Sequence, residues 1–364
     1  MLKRLVLTTG GTGGHIFPAL SVAEEVRRRN PEAEVLFIGG KYGPEGDLAR
    51  KAGLAFEALP VRGVLGRGVA AAGAACRLAG GVFTARRLLA SFRPQVVAGF
   101  GGYGGFCPVM AARTQGIPCA VHEQNSVPGA ANRLLARFAD KVLVTYPDEG
   151  HAFDPAKVVR TGNPVRAAIR ELGSLRHERA GERLRLLVLG GSQGAMALNT
   201  MLAEAWPALY ERGVIVWHQT GERDLERVRG LYGISGESAP AGARIVPFIE
   251  DMAGAYAWAD LAVCRAGATT LAELTVAGTP SLLVPFPHAT HDHQTVNARY
   301  LEAKGAAVLL PQAGLTAEIL ARTVGGIAAE PGRLEAMAEA ARAEGRPDAA
   351  ARVADELEKL AGKA

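Results

Sequence analysis

With 364 residues the chain is longer than a typical single domain, and two domains are predicted. Hydrophobic residues make up 48% and charged residues 21%, with no block of like charge, which excludes an intrinsically disordered chain. The four cysteines form no CxxC pair and no metal-ligand spacing, so neither a disulfide scaffold nor a zinc module is predicted. The net charge is +5.

The sequence shows no targeting or membrane-spanning segment. MLKR is followed by an apolar stretch, LVLTT, that is too short for a secretory signal and runs directly into a glycine turn. The longest uncharged run, residues 94–112, contains five glycines and two prolines, which favours a strand and a loop over a membrane helix. We therefore expect a soluble protein.

The first half of the chain alternates apolar runs with glycine turns and helical segments. Residues 4–9 predict a buried strand, GGTGGH follows as a turn, and residues 16–29 predict a helix with Pro18 in its first turn. Residues 64–92 predict a helix that the Gly80-Gly81 pair breaks. Further strands are predicted at residues 34–40, 95–100, 118–125 and 141–146, with a glycine loop at residues 101–105.

After TGNPV (161–165) the same rhythm restarts. Residues 166–183 predict a charged helix, and the strand of residues 183–191 leads through the turn SQGA into a helix over residues 196–209. Two more strands are predicted, at residues 214–221 and 243–249. Alternating strands and helices indicate α/β domains with parallel sheets, whose ligand loops lie at the carboxyl ends of the strands.

The predicted boundary falls near Asn163-Pro164. It gives an N-terminal domain of residues 1–163 and a C-terminal domain of residues 164–346. The last segment, residues 347–361, predicts an amphipathic helix with Val353, Leu357 and Leu360 on one face.

The stretch of residues 262–297 carries the strongest indication of a ligand. An apolar run, Leu261 to Cys264, ends at Ala266-Gly267-Ala268. Thr269 and Thr270 then open a helix that has Glu273 in its first turn, and Gly278 ends this helix. The N–H groups at a helix N-terminus suit a phosphate, and a carboxylate such as Glu273 is placed to accept hydrogen bonds from sugar hydroxyls. This pattern predicts a nucleotide-type site.

Two other motifs point to different chemistry. GFGGYG (99–104) fits the dinucleotide pattern GxGxxG, with Glu123 about 20 residues further on, but it lies in the middle of a domain. GGSQG (190–194) fits the GxSxG turn of serine hydrolases, with Ser192 as nucleophile. In that hypothesis Asp260 and a histidine of the following loop, His288, His291 or His293, complete a triad.

The chain also lacks two common phosphate-binding devices. It has no GxxxxGK[ST] sequence, which argues against a P-loop ATPase. It has no DxD pair, so no carboxylate ligands for a metal on a diphosphate are predicted.

Several motifs taken together resemble the MurG family of UDP-N-acetylglucosamine:undecaprenyl-diphospho-MurNAc-pentapeptide N-acetylglucosaminyltransferases. The resemblance spans nearly the whole chain, and the motifs keep the family's order. They are GGTGGHIFPAL (10–20), GFGGYGGFCP (99–108), HEQNSVPG (122–129), TGNPVR (161–166), GGSQGA (190–195) and CRAGATTLAEL, which opens the stretch 264–298.

The resemblance implies a fold and a reaction. The fold is GT-B: two Rossmann-like α/β domains with parallel sheets that face a cleft. The reaction is inverting transfer of GlcNAc from UDP-GlcNAc to the 4-hydroxyl of MurNAc in undecaprenyl-diphosphoryl-MurNAc-pentapeptide, the step from lipid I to lipid II in peptidoglycan synthesis. No metal and no cofactor is implied, and the last helix is expected to pack back on the N-terminal domain.

The resemblance also implies contacts with both substrates. In the C-terminal domain, Glu273 takes the ribose hydroxyls and Gln294 reaches the sugar. Further donor contacts are implied for Ser192, Ala268, Thr269, Thr270, Leu271 and Ala272 at the diphosphate, for Ile249 at the uracil and for Arg166 at the nucleotide. Contacts on the sugar and acceptor side are implied for Thr12, Gly13, Gly14 and Asn125.

His15 is the candidate general base. Inversion requires one base that deprotonates the attacking hydroxyl, and a neutral imidazole at a glycine turn suits this role. The alternative is a structural histidine that hydrogen-bonds its own loop. Glu123 is a rival that could instead brace its loop, and His122 has a weaker claim because it lies in a strand.

Two positions depart from the family pattern. His293 stands where the family has the first of two adjacent glutamines, which leaves the role of this position open. Ala266 stands where a serine is common, so one polar contact near the diphosphate could be missing.

An arginine-rich segment predicts a membrane partner. No acidic residue lies between Glu57 and Glu123, whereas seven arginines do. The mixture of apolar and basic residues over 62–93 favours an anionic membrane surface, where each Lys or Arg contributes about 1 kcal/mol, and no nucleic acid partner is predicted. The alternative is a helix pair with a solvated basic face.

The sequence therefore favours a peripheral glycosyltransferase at the cytoplasmic face of the membrane. Two alternatives stay open at this stage. One is an enzyme of the same fold that resembles UDP-GlcNAc 2-epimerases and needs no membrane. The other is a serine hydrolase that uses Ser192.

Overall fold

The structure is a computed structural model that describes residues 1–60, 71–172, 183–190, 195–234 and 240–362. For residues 71–77 and for Tyr103 it describes the backbone alone. The chain divides into two compact units. Unit 1 comprises residues 1–166 and 346–364, and unit 2 comprises residues 167–345.

Unit 1 begins with a regular alternation of strands and helices. Its elements in chain order are β1 (Arg4–Thr8), α1 (Gly13–Arg29), β2 (Glu34–Gly40), α2 (Glu45–Lys51), β3 (Ala55–Leu59), α3 (Ala71–Phe92), β4 (Val96–Gly99), α4 (Gly102–Thr114), β5 (Cys119–Glu123), α5 (Ala130–Leu135), β6 (Lys141–Val144) and β7 (Val158–Arg160).

The strands of unit 1 form one parallel sheet in the order β3-β2-β1-β4-β5-β6-β7. β1 pairs with β2 from Arg4 beside Glu34 onward, and with β4 from Leu5 beside Val96 onward. The apolar residues of the inner strands are buried because helices cover both faces of a parallel sheet. The strand order reverses between β1 and β4, and ligands bind at such switch points in open α/β sheets.

The predicted strands of this half are confirmed, but three glycine-rich predictions are wrong. α1 begins at Gly13, so Pro18 lies in its second turn and costs one intrahelical hydrogen bond. The predicted glycine loop at 101–105 is mostly the first turn of α4, which begins at Gly102. α3 runs unbroken through Gly80, because Ala85 and Leu89 on its inner face are buried in the core and tertiary packing outweighs the low helix propensity of glycine. The part of the predicted 64–92 helix before residue 71 lies outside the described residues.

Unit 2 repeats this architecture. Its elements are α6 (Ala167–Leu172), β8 (Leu184–Leu189), α7 (Met196–Glu211), β9 (Val214–Gln219), α8 (Leu225–Leu231), β10 (Ala243–Val246), α9 (Met252–Trp258), β11 (Leu261–Cys264), α10 (Ala268–Ala277), β12 (Ser281–Leu283), α11 (His293–Ala303), β13 (Ala307–Leu309), α12 (Ala317–Ala329) and α13 (Arg333–Glu344).

The sheet of unit 2 is also parallel, in the order β10-β9-β8-β11-β12-β13. Its order reverses between β8 and β11, whose paired residues run from Leu186 beside Leu261 to Leu189 beside Cys264. The fold class predicted from the sequence, two parallel-sheet α/β domains, is therefore confirmed.

α10 follows the switch-point strand β11 and ends as predicted. Gly278 adopts a left-handed conformation with φ of 70°, the usual helix C-cap. Glu273, however, is the sixth residue of the helix and lies in its second turn, whereas the sequence placed it in the first.

The chain returns to unit 1 for its last helix, α14 (Ala349–Ala361). Val353, Leu357 and Leu360 are buried in the same core cluster as residues of α1, which is the apolar face predicted from their spacing. Among the helices of the described part of the chain, none is long and apolar enough to cross a membrane.

A buried carboxylate joins α1 to α14. The Glu25 side chain is 1% exposed, and it accepts from Arg28 at 2.8 Å and from Arg29 at 2.8 Å. Arg29 also pairs with Asp355 of α14 at 2.6 Å. Hydrogen bonds from Arg28, and secondarily from Arg29, lower the pKa of Glu25 to about 2 despite its burial.

This pKa predicts a pH dependence of stability. The folded-state pKa lies below the ordinary value of 4.5, so the stabilisation is complete above that value and is lost as the pH falls toward 2. We expect the stability difference between wild type and Glu25→Gln to shrink by about 2 kcal/mol from about pH 6 to about pH 3 in urea unfolding. Glu24→Gln, at the exposed neighbour, is the control. A difference that does not change with pH would contradict the ion-pair network.

Candidate functional site

Two glycine turns meet at the switch point of the sheet in unit 1. The turn after β1 donates a hydrogen bond from the Gly10 N–H to the Gly101 carbonyl in the turn after β4, at 3.1 Å. A Cβ at Gly102 would collide with the Gly10 carbonyl, and a Cβ at Gly104 would lie 2.5 Å from the Thr9 carbonyl oxygen. Backbone therefore packs directly on backbone here, and only glycine fits.

His15 lies beside this contact. It is the third residue of α1, and its backbone N–H donates to the carbonyl of Thr12, the N-cap residue, at 3.0 Å. Its imidazole faces Gly101, where an added Cβ would lie 3.4 Å from Cδ2 and Nε2 of the ring. Thr12 is exposed, whereas Gly13, Gly14 and His15 are partly exposed, so a ligand at the switch point could reach all four.

Arg166 also comes to α1. Its guanidinium lies over the Phe17 ring, 4.9 Å from the ring centroid. A guanidinium stacked in this way keeps its N–H groups directed outward and can still bind a phosphate. The structure thus groups Arg166 with the predicted residues of the β1–α1 turn.

Glu123 is committed to its own loop. It is buried at the carboxyl end of β5, and its two oxygens accept four hydrogen bonds. The donors are Asn125 N (3.0 Å), Asn125 Nδ2 (3.3 Å), Gly129 N (3.0 Å) and Asn132 Nδ2 (2.9 Å). This carboxyl group braces the loop that carries Asn125, which is the alternative role that the sequence allowed for it.

His122 is buried and internally hydrogen-bonded. Its Nε2 lies 2.9 Å from the Gly162 carbonyl, and its Nδ1 lies 3.1 Å from Gln124 Nε2. The ring also stacks on Phe100, with 5.2 Å between centroids. Burial lowers the pKa of His122 to about 4, so the ring is neutral at pH 7 and lacks access to a substrate.

In unit 2, the N-terminus of α10 lies at the carboxyl end of β11. Gly267 is the N-cap, and a glycine has no side chain that could cap this end. The first i to i−4 bond runs from the Leu271 N–H to the Gly267 carbonyl at 3.0 Å. The N–H groups of residues 268–270 precede it and, with the helix dipole, form a surface suited to an anion.

Glu273 lies behind this N-terminus. It is 5% exposed, and its Oε2 accepts from the Tyr256 hydroxyl of α9 at 3.0 Å. The phenol fixes the rotamer of the carboxyl group. The sequence did not predict this contact, because it forms only when α9 and α10 pack against each other in the folded unit.

Two polar side chains hold the loop between β12 and α11, and a third holds the turn before α10. Gln294 Oε1 accepts from the Phe286 N–H at 2.9 Å, and Arg265 donates to the Val284 and Pro285 carbonyls at 3.1 Å. Asn297 donates to the Ala266 carbonyl at 3.2 Å and so joins α11 to the turn before α10. Sequence reasoning identified Gln294 but assigned no role to Arg265 or Asn297.

A buried polar network lies under the end of β9 and was also missed. His218 lies 3.1 Å from the Tyr232 hydroxyl and 3.1 Å from Asn199 Oδ1. Asn199 in turn donates to the Thr220 carbonyl at 2.9 Å and to Asp224 at 2.7 Å. Burial lowers the pKa of His218 to about 3, which makes it a neutral structural group.

For two residues predicted to contact the donor, the structure shows few or no contacts. Ile249 lies in the loop after β10, with its side chain buried. Ser192 lies outside the described residues. Among the residues that are described, no three His, Cys, Asp or Glu side chains group as metal ligands.

In the described part of the chain, neither competing motif has the partner residues that its chemistry requires. Asp260 precedes β11, at the amino edge of the sheet, and is bound by Arg185 at 2.7 Å, whereas His288, His291 and His293 follow β12 at the carboxyl edge. Because Asp260 and these histidines lie at opposite edges of the sheet, they do not form the predicted triad. The GFGGYG motif follows β4 rather than the first strand, and its acidic partner Glu123 is fully used by the loop.

Comparisons with known proteins agree over the full length. The N-terminal domain of glycosyltransferase family 28 matches residues 5–144, and the C-terminal domain of that family matches residues 185–353. A protein of Nitratidesulfovibrio vulgaris named "UDP-N-acetylglucosamine--N-acetylmuramyl-(pentapeptide) pyrophosphoryl-undecaprenol N-acetylglucosamine transferase" is 54% identical over 99% of this chain and 98% of its own length.

Solved structures give the same picture. MurG of Acinetobacter baumannii is 34% identical, with a TM-score of 0.77 over 98% of this chain and 99% of its own. A UDP-N-acetylglucosamine 2-epimerase covers 100% of this chain and 98% of its own with a TM-score of 0.67, but at 14% identity it shares the fold alone.

Proposed function

The chain belongs to the MurG family of family 28 glycosyltransferases, and from that premise we propose that it transfers GlcNAc from UDP-GlcNAc to the MurNAc 4-hydroxyl of undecaprenyl-diphosphoryl-MurNAc-pentapeptide. It is an N-acetylglucosaminyltransferase of the lipid I to lipid II step. The observation that carries this function is identity of 54% over 99% of the chain to a transferase of that name. The epimerase alternative has only the fold in its favour.

The donor would bind at the carboxyl edge of the sheet in unit 2. The N-terminus of α10 offers the N–H groups of Ala268, Thr269 and Thr270 to the diphosphate, and the helix dipole favours the negative charge that develops as UDP leaves. Glu273, held by Tyr256, would accept from the ribose hydroxyls. Gln294 would present its amide N–H groups to the sugar while its Oε1 stays on Phe286.

The remaining donor contacts follow the family pattern. Leu271 and Ala272 continue the first turns of α10, and Ile249 and Ser192 would contact the uracil and the diphosphate. Arg166, stacked on Phe17, would supply a positive charge to the nucleotide.

The acceptor would bind in unit 1, with His15 as general base. The imidazole lies at the switch point of the sheet, beside Gly101 and in the first turn of α1. It would take the proton of the 4-hydroxyl as that oxygen attacks the anomeric carbon and the bond to UDP breaks. Thr12, Gly13, Gly14 and Asn125 would line the sugar and acceptor around it.

We propose that the exposed side of α3 faces the membrane. Phe83 is 55% exposed, and the Arg87 guanidinium lies over its ring at 4.4 Å. Arg86 is exposed and donates to the Thr114 hydroxyl of α4 at 2.6 Å, and Arg113 is exposed beside it. Exposed aromatic and basic side chains together favour binding to an anionic lipid surface. Binding to the cytoplasmic side of the membrane would bring unit 1 close to a lipid-borne acceptor.

The reaction and its base are tested together. We expect the wild-type protein to transfer labelled GlcNAc onto a lipid-diphosphate acceptor, and His15→Ala to lower kcat by about 10²- to 10⁴-fold with little change in the donor KM. His151→Asn replaces an exposed histidine of the same unit and should leave kcat unchanged. Absence of transfer by the wild type would refute the function, and normal turnover by His15→Ala would refute the base.

The ribose contact is tested by binding. Glu273→Ala should weaken UDP binding about 10- to 100-fold in calorimetry, because hydrogen bonds between a charged group and two hydroxyls are lost. Glu226→Ala, at an exposed position of α8, is the control. Unchanged affinity in Glu273→Ala would show that the ribose binds elsewhere.

The membrane surface is tested by sedimentation with vesicles containing anionic lipid. Phe83→Ser should reduce the bound fraction several-fold, because an inserted aromatic ring contributes roughly 2 kcal/mol of apolar burial. Leu231→Ser changes an apolar residue of similar exposure in unit 2 and should bind as the wild type does. Equal binding by all three proteins would exclude this surface.

A further inference from the structure

One buried carboxyl group of unit 1 has no place in the proposed chemistry. Glu45, the first residue of α2, is 2% exposed. Three glycines surround it: an added Cβ at Gly39 would lie 2.9 Å from its Cβ, one at Gly40 would lie 3.3 Å from Oε1, and one at Gly43 would collide with Oε2. These glycines form a slot that admits this side chain only because they lack their own, and we call it the Glu45 slot.

The carboxyl group in this slot holds the β1–α1 turn. Its Oε1 accepts from the Gly11 N–H at 2.8 Å, across 34 residues of sequence. Gly11 has φ of 108°, which L side chains rarely adopt. The residues on either side of Gly11 are tied to other elements, since the Gly10 N–H donates to Gly101 and the Thr12 carbonyl accepts from His15.

The pinned peptide lies directly under the proposed base. A Cβ at Gly11 would lie 4.0 Å from His15 Nδ1, so any shift of Gly11 changes the surface against which the imidazole rests. A displacement of about 1 Å at a catalytic group is enough to cost a large factor in rate.

Burial of the Glu45 carboxyl group in this slot has a cost in folding free energy. Oε2 is buried and has no hydrogen-bond partner among the described residues. A buried polar atom without a partner costs free energy that an apolar side chain of the same size would avoid. What the burial provides is geometry, because it holds Oε1 at a fixed position where it accepts the hydrogen bond of the Gly11 N–H.

We propose that Glu45 is a positioning residue that sets the conformation of the Gly10–Thr12 turn and thereby the place of the His15 imidazole. The hydrogen bond to Gly11 carries this role, and the negative charge of the side chain does not. The rate effect rests on the proposed function of His15, whereas the geometric effect stands without it.

Four variants separate the hydrogen bond from the charge. Glu45→Gln keeps both the length and an acceptor oxygen, Glu45→Asp keeps the charge but is one methylene too short to reach Gly11, and Glu45→Ala lacks both. Gly43→Ala places a methyl group where Oε2 lies and displaces the carboxyl group. Asp47→Asn, an exposed acid on the same helix, is the matched control.

We expect kcat for GlcNAc transfer to stay within about threefold of wild type in Glu45→Gln and to fall about tenfold or more in the Asp, Ala and Gly43→Ala variants. The UDP dissociation constant should be unchanged in all of them, and Asp47→Asn should match the wild type. Retained activity in Glu45→Asp with loss in Glu45→Gln would assign the role to charge and overturn the proposal. Full activity in Glu45→Ala would overturn it as well.

Amide hydrogen exchange of Gly11 in ¹⁵N-glycine-labelled protein gives a readout that needs no activity. Exchange should be slow in wild type and Glu45→Gln and about tenfold or more faster in Glu45→Asp and Glu45→Ala. If the wild type shows no transfer, the proposed function fails, and this measurement still decides the role of Glu45. Equal exchange in wild type and Glu45→Ala would overturn the positioning role whatever the activity.

Discussion

The contact between two backbones at the switch point of unit 1 constrains everything around it. The turn after β1 and the turn after β4 approach so closely that Gly102 and Gly104 cannot carry a Cβ. Such proximity lets two helix N-termini, those of α1 and α4, converge on one point at the edge of a parallel sheet. The glycine-rich motifs are therefore a requirement of close approach rather than of flexibility.

A turn without side chains cannot hold itself in place, and both units solve this with polar side chains from elsewhere in the chain. In unit 1, Glu45 accepts from the first glycine turn, and Glu123 accepts from the loop that carries Asn125. In unit 2, Asn297 and Arg265 donate to carbonyls of the turns on either side of α10. Each loop is thus bound by a group of complementary polarity, which fixes its backbone before any ligand arrives.

The sequence predicted most of the strands and the fold class, because apolar runs bounded by glycine can be identified locally, but it assigned no strand to β3, β7 or β13. The prediction failed where glycine is compatible with both a loop and a helix. The residues after Gly101 start a helix instead of a loop, and Gly80 lies inside an unbroken helix. It also missed Glu45, since α2 lacks a distinctive pattern and the bond to Gly11 spans 34 residues. Local pattern predicts which loops bind a ligand, whereas tertiary contacts decide which side chains support those loops.

The same logic distinguishes the two histidines at this edge of the sheet. His122 ends in the core, with both ring nitrogens at hydrogen-bond distance from protein groups and a pKa lowered to about 4 by burial. His15 lies on a helix turn that glycines leave open, so its ring is partly exposed. The neighbouring carboxyl groups of Glu45 and Glu123 already accept backbone N–H groups, so the partly exposed imidazole of His15 stays our proposal for the general base.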